Sequence, residues 1–134
     1  MLRRFAAGSV VACVAIAIAS AVVLMTSGLN FQRLSLALAI WCVVPCGWGV
    51  WAMLSPASWV PQRLPMWGTI LGIVAGVLAI FVVKMPYRVL GVVLPATAGA
   101  LGVLVAGVFY YVLWTMVRMV YKGLGGSSSP ASRG

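Results

Sequence analysis

Three cysteines, Cys13, Cys42 and Cys46, are the side chains best suited to chemistry in a chain that has nine Lys and Arg but no Asp, Glu or His. Cys42 and Cys46 lie one helical turn apart on one face, and the ring of Pro45 between them removes a backbone donor and frees a carbonyl. Counted from the helix ends that share one side, Cys13 is roughly 10 Å deep and Cys46 roughly 12 Å at about 1.5 Å per residue. A soft cation such as Cu(I) takes two or three thiolates, which makes the three cysteines the metal candidates, a relay beside a broken helix. Packing is the competing reading, because free Cys behaves as a small buried hydrophobe and no acid or imidazole would draw a cation in or release it. We adopt packing and assign no metal, cofactor or catalytic residue. The odd number of cysteines also argues against a disulfide framework.

Without carboxylates or imidazoles the chain lacks the usual general acids and bases, hard-cation ligands and axial histidines, so it reads as a protein that is not an enzyme. The polar residues within its apolar runs are Ser9, Ser20, Ser35, Thr69, Thr97 and Thr115, and they form no stripe that would line a pore. Nor does an ionisable group sit mid-run to couple a carrier to ions. Tyr110 and Tyr111 read as core or lipid packing, with one backbone carbonyl enough for each hydroxyl. Arg118 and Lys122 read as side chains snorkelling to lipid phosphates.

The elements that carry these residues follow from the apolar runs. Apolar residues make up 64% of the chain and charged residues 7%, against about a quarter charged in a soluble domain, so the expected class is an integral membrane protein. A spanning helix needs about 20 residues, which predicts an all-α four-helix bundle with spans at 5–25, 34–54, 66–83 and 96–117. The connection TSGLNFQR, residues 26–33, holds a Ser-Gly turn signal. The segment SPASWVPQRLP, residues 55–65, carries three prolines and cannot continue a helix. Residues 89–117 are too long for one upright span, so Pro95 is read as the first-turn proline of the fourth, with residues 87–94 as an interfacial turn or tilted extension. A single proline-kinked helix from Val89 is the alternative. The membrane domain is expected at 1–121 and a disordered Gly/Ser-rich tail at 122–134.

Orientation follows the basic residues. With the N-terminus inside, the inner side collects Arg3, Arg4, Arg63, Arg118, Lys122 and Arg133, and the outer side Arg33, Lys84 and Arg88. That imbalance predicts both termini cytoplasmic, in a bacterial inner membrane. Trp51, Trp59, Trp67, Trp114 and Tyr121 would then form an aromatic belt at one interface. A cleaved signal peptide is the rival reading of the N-terminus, and the apolar run continuing to Met25 favours a retained span.

Small residues predict the helix contacts. Gly68, Gly72 and Gly76 recur every four residues in the third span, and Ala98, Gly102 and Ala106 repeat the spacing in the fourth, a glycine-zipper pattern that lets two backbones approach. The two faces are expected to meet, with Ile80 turned to lipid. Arg3, Arg4, Arg63, Arg118 and Lys122 are expected to form an inner basic ring that binds anionic lipids or acidic loops of a partner. The function expected is that of a non-catalytic accessory subunit or assembly factor of a larger membrane complex, binding lipids and other subunits or itself, with no nucleic acid. A permease for a lipid-like substrate or soft metal around Cys42 and Cys46 is the alternative, and a holin-like pore former a lesser one.

Overall fold

The computed structural model describes residues 1–26 and 31–126, and among these the chain is all-helical with no strand. Four helices follow in order: α1 (Leu2–Thr26), α2 (Phe31–Met53), α3 (Leu64–Val77) and α4 (Ala96–Gly126). Three helical stretches are long and apolar enough to cross a membrane, Leu2–Val22, Leu64–Val82 and Ala96–Gly125. In α2 the apolar stretch among the described residues is the shorter Trp41–Met53. This is consistent with a membrane protein, as is an outer surface rich in exposed side chains such as Val14, Ile18, Leu101, Val105 and Phe109.

Several boundaries differ from the sequence-based ones, each for a local reason. Of the expected 26–33 connection, residues 31–33 already belong to α2, and Ser27–Asn30 lie outside the described residues. Helix α3 starts at Leu64 with Pro65 in its first turn, where the missing N–H has no intrahelical acceptor to lose. A proline run that stops one helix therefore also starts the next. The end of α3 widens into a π-helical stretch, Leu78–Val82, and a second π-helical turn, Pro86–Leu90, is closed by Gly91 in the left-handed region at φ 70°. Helix α4 begins at Ala96, with the Pro95 carbonyl accepting from the Gly99 N–H at 3.0 Å, so Pro95 stands just outside the helix and no continuous helix runs from Val89. At its far end α4 continues through Lys122–Gly126, residues expected to be tail, because Arg3 packs on its last turns. Residues 127–134 lie outside the described residues.

The helices form two antiparallel pairs, α1 with α2 and α3 with α4, joined by packing of α1 on α4. The α3–α4 pair is built on absent side chains. A Cβ at Gly68 would fall inside the Trp114 ring, one at Gly72 would lie 2.6 Å from Tyr110 Cβ, and one at Gly76 would lie 3.3 Å from Ala106 Cβ. One turn further along, Ile80 rests on Gly99 and Gly102 of α4. Each turn along α3 thus matches one turn back along α4. The bulk changes sides on the way: aromatic side chains of α4 lie on glycines of α3 at one end, and Ile80 of the π-helical stretch that continues α3 lies on glycines of α4 at the other. Ile80 is therefore a packing residue and not lipid-facing. The α1–α2 pair uses the same device, since a Cβ at Gly8 would lie 2.8 Å from the Trp48 carbonyl oxygen and one at Gly49 2.6 Å from the Phe5 ring.

The core sits at one end of the molecule, where Ala7, Val11, Ala12, Trp48, Ala52, Leu64, Trp114 and Val117 are buried together. Gly72→Ile should lower the melting temperature of the detergent-solubilised protein, because the new side chain meets the Tyr110 and Ala106 backbone-proximal atoms, and overpacking of this kind costs about 1–3 kcal/mol. Leu101→Ile, at a residue 63% exposed, is the control and should melt as wild type. Equal melting of the two variants would mean that the glycine face carries no packing.

Candidate functional site

Aromatic side chains gather where α1 begins, α2 ends, α3 begins and α4 ends. Trp114 is wholly buried on Gly68, and Trp48 of α2 packs against both Tyr110 and Trp114, with ring centroids 5.1 Å and 5.7 Å away. Trp114 therefore belongs to the core and not to an interfacial belt, and its Nε1 is the buried side-chain donor left without a partner among the described residues. Nearer the helix ends, Trp51 and Trp67 stack at 4.9 Å and 21° and exchange hydrogen bonds: each indole N–H donates to the other residue's backbone carbonyl, at 3.1 Å from Trp51 and 2.8 Å from Trp67. Trp59 meets the edge of Trp67 at 6.0 Å. These rings tie α2 to α3, and through Trp48 the first helix pair to the second.

The same end carries the expected basic residues, and two of them have found acceptors inside the chain. Arg3 stacks over the Tyr121 ring at 4.1 Å and its guanidinium donates to the Tyr121 carbonyl, at 3.0 Å from Nε. Arg4 donates to the Ser55 carbonyl at 3.0 Å. Both acceptors lie where α4 and α2 near their C-terminal ends, the negative end of each helix dipole, so backbone oxygen stands in for the carboxylates the chain lacks. Arg63, Arg118 and Lys122 make no such bond among the described residues; Arg63 and Lys122 are exposed and Arg118 half-buried. A ring of five equivalent cations is therefore not what the structure shows. Two hold the fold, and three make no such bond among the described residues.

The cysteines are not brought together. Cys13, Cys42 and Cys46 are all free and exposed, and among the described residues no group of three His, Cys, Asp or Glu is placed to hold a metal ion. The expectation that they pack in an interior differs from their outward positions, which suit lipid contact. Beside them, Ser9 of α1 donates to the Pro45 carbonyl at 3.0 Å, a link between α1 and α2 at a proline through which α2 runs on as one helix, not the broken helix the sequence suggested. Thr69 and Thr115 donate to the carbonyls four residues earlier, Pro65 and Tyr111, and Ser55 to Ala52. Ala98 and Gly102 are half-buried on α4, Gly102 beneath Ile80, while Ala106 faces Gly72 and Gly76. Sequence reasoning missed Ser9, Gly8, Gly49 and Trp48 as contact residues. The four-residue step from Gly8 to Ala12 was the available signal.

Comparison with protein-family models, with curated proteins and with solved structures returns no match for this chain. Replacing Cys13, Cys42 and Cys46 together by Ala should leave the melting temperature and the assembled state close to wild type, because each side chain faces outward. Stoichiometric copper in the purified protein, lost in the triple variant together with its stability, would contradict that and revive ligation.

Proposed function

We propose that the protein is a four-span integral membrane protein of a bacterial inner membrane, with both termini cytoplasmic, acting as a non-catalytic accessory subunit or assembly factor of a larger membrane complex. The single observation that supports this reading is where its polar groups go. Ser9, Trp51, Trp67, Arg3 and Arg4 each donate to a backbone carbonyl far away in the same chain and so hold its segments together, while Ser55, Thr69 and Thr115 are satisfied by carbonyls three or four residues earlier. At the end that carries the core, what is left for other molecules among the described residues is an apolar exterior and the cations Arg63, Arg118 and Lys122. Helix α2 counts as the fourth span in this reading, since its 23 residues reach roughly 34 Å and it runs antiparallel to α1.

The partner this surface suits is a membrane subunit with acidic loops on the cytoplasmic side, or an anionic leaflet. A juxtamembrane cation beside negative charge gains about 1 kcal/mol. The close glycine-based packing of α3 on α4 serves the same reading, as a glycine zipper used within the chain and not between chains.

Topology is tested by labelling in intact cells, in a background where the three native cysteines are replaced. Val93→Cys should react with an impermeant thiol reagent from outside and Ser58→Cys only after permeabilisation. The reverse pattern would invert the proposed orientation. The partner is tested by extraction in mild detergent with measurement of particle mass and composition. A complex containing another subunit is expected, held less well when Arg63, Arg118 and Lys122 are changed to Gln, and held less well by wild type near 1 M salt, where the Debye length falls to about 3 Å. A lone monomer or homo-oligomer of this chain at low salt would contradict the accessory role.

A further inference from the structure

At the opposite end from the tryptophans, a pocket of about 340 Å³ opens between the end of α3, the π-helical turn and the start of α4. Its walls are apolar, formed by Ile80 and Phe81 on one side and Val92, Val93 and Leu94 on the other, and Lys84 is the one charged residue lining it. Lys84 lies two residues beyond a stretch long and apolar enough to cross a membrane, which closes at Val82; at the end of a spanning helix a lysine carries its ammonium to the headgroups. Its backbone stands at φ 52°, a left-handed conformation disfavoured for any residue with a Cβ, and of the described residues other than glycine it alone adopts it. Such positions persist where surrounding structure holds them, and they cluster at ligand clamps. Here the carbonyl of Lys84 accepts the Arg88 N–H at 3.0 Å, which fixes the turn, and the side chain of Lys84 is exposed.

We propose that this pocket is a binding site for an anionic phospholipid, with one acyl chain laid between Phe81 and the extended segment Val92–Leu94 and the phosphate at Lys84. Charge complementarity selects the occupant. The chain has no Asp or Glu that could pair with Lys84, so negative charge at this site comes from another molecule. An apolar pocket that opens at the membrane boundary beneath a cation matches an amphiphile whose head and tail are joined there. The size agrees, lying at the lower end of ordinary ligand pockets and therefore fitting part of one lipid. The floor is formed by close packing: a Cβ at Gly99 would lie 2.8 Å from the Phe81 ring, so Phe81 is seated directly on α4 and the wall it forms is held in place. This site is separate from the basic end assigned to a partner subunit, and it stands whether or not the accessory role does.

The test uses the full-length protein in lipid nanodiscs doped with phosphatidylglycerol or phosphatidylcholine, each carrying a photoreactive group on one acyl chain, with adducts mapped by peptide mass spectrometry. Phosphatidylglycerol should label residues 80–94 about fivefold more than phosphatidylcholine, the factor expected for one cation beside an anionic headgroup. Lys84→Gln should remove that preference while Lys84→Arg keeps it, with labelling elsewhere on the chain unchanged. Equal labelling by the two lipids in wild type would overturn the proposal without any variant, as would a preference that survives Lys84→Gln. Competition separates the two sources of an anionic amphiphile: unlabelled phosphatidylglycerol should suppress the adducts, and suppression by oleate at lower concentration than by phosphatidylglycerol would assign the pocket to a free fatty acid instead.

Discussion

Bare backbone on one face of α3 is the constraint on which the other contacts rest. In a bilayer the lipid tails are as apolar as a leucine side chain, so helices gain little by exchanging lipid for each other unless their atoms can come closer than lipid allows. Gly68 and Gly72 permit this by leaving room for whole rings, and Trp114 and Tyr110 of α4 lie on them. Each buried ring brings many small dispersion contacts that a lipid chain would not reproduce as densely. Those two rings form the surface against which Trp48 of α2 packs, and the carbonyl of Trp48 is in turn approached by Gly8 of α1. The four helices are thus linked through one sequence of contacts that begins at missing side chains.

Charge imposes the second condition. A chain with nine cations and no Asp or Glu cannot neutralise itself through side-chain ion pairs, yet Arg3 and Arg4 sit at the start of α1, where the helix dipole is already positive. Their reach across to Tyr121 and Ser55 moves that charge toward the C-terminal ends of α4 and α2, where carbonyls point outward. Arginine suits the task better than lysine, because its planar group stacks on Tyr121 while donating to a carbonyl of the same residue. The contact also explains why the last turns of α4 are helical despite their glycines.

Much of the fold was legible in the residues. Long uncharged runs marked the helices, Pro95 marked the start of α4, and the four-residue spacing of Gly68, Gly72 and Gly76 marked a face. Pro65 was misread because a proline signals both the end of one helix and the first turn of the next, and only neighbouring structure decides. The roles of the tryptophans were harder to read. An indole near a span end satisfies the interfacial pattern whether it meets water or another ring, so sequence placed Trp114 in a belt although it is buried. Register was not legible either: matching two small-residue triplets suggests that small meets small, whereas the helices set aromatic residues on glycine and Ile80 on Gly102. Of the candidate site, the location of the basic end was readable, but its division into fold-holding and unpaired cations depends on which carbonyls come within reach.

Cysteine cross-linking within the native membrane measures that register directly. A Cβ at Gly76 lies 3.3 Å from Ala106 Cβ, close to disulfide geometry, whereas Gly72 and Gly102 face Tyr110 and Ile80 and stand about two helical turns, roughly 11 Å, out of step. With the native cysteines replaced, Gly76→Cys combined with Ala106→Cys should form an intramolecular disulfide under mild oxidation, and Gly72→Cys combined with Gly102→Cys should not. Cross-linking of the second pair in place of the first, or of the first pair only between separate chains, would contradict the packing of aromatic side chains on the glycine face of α3.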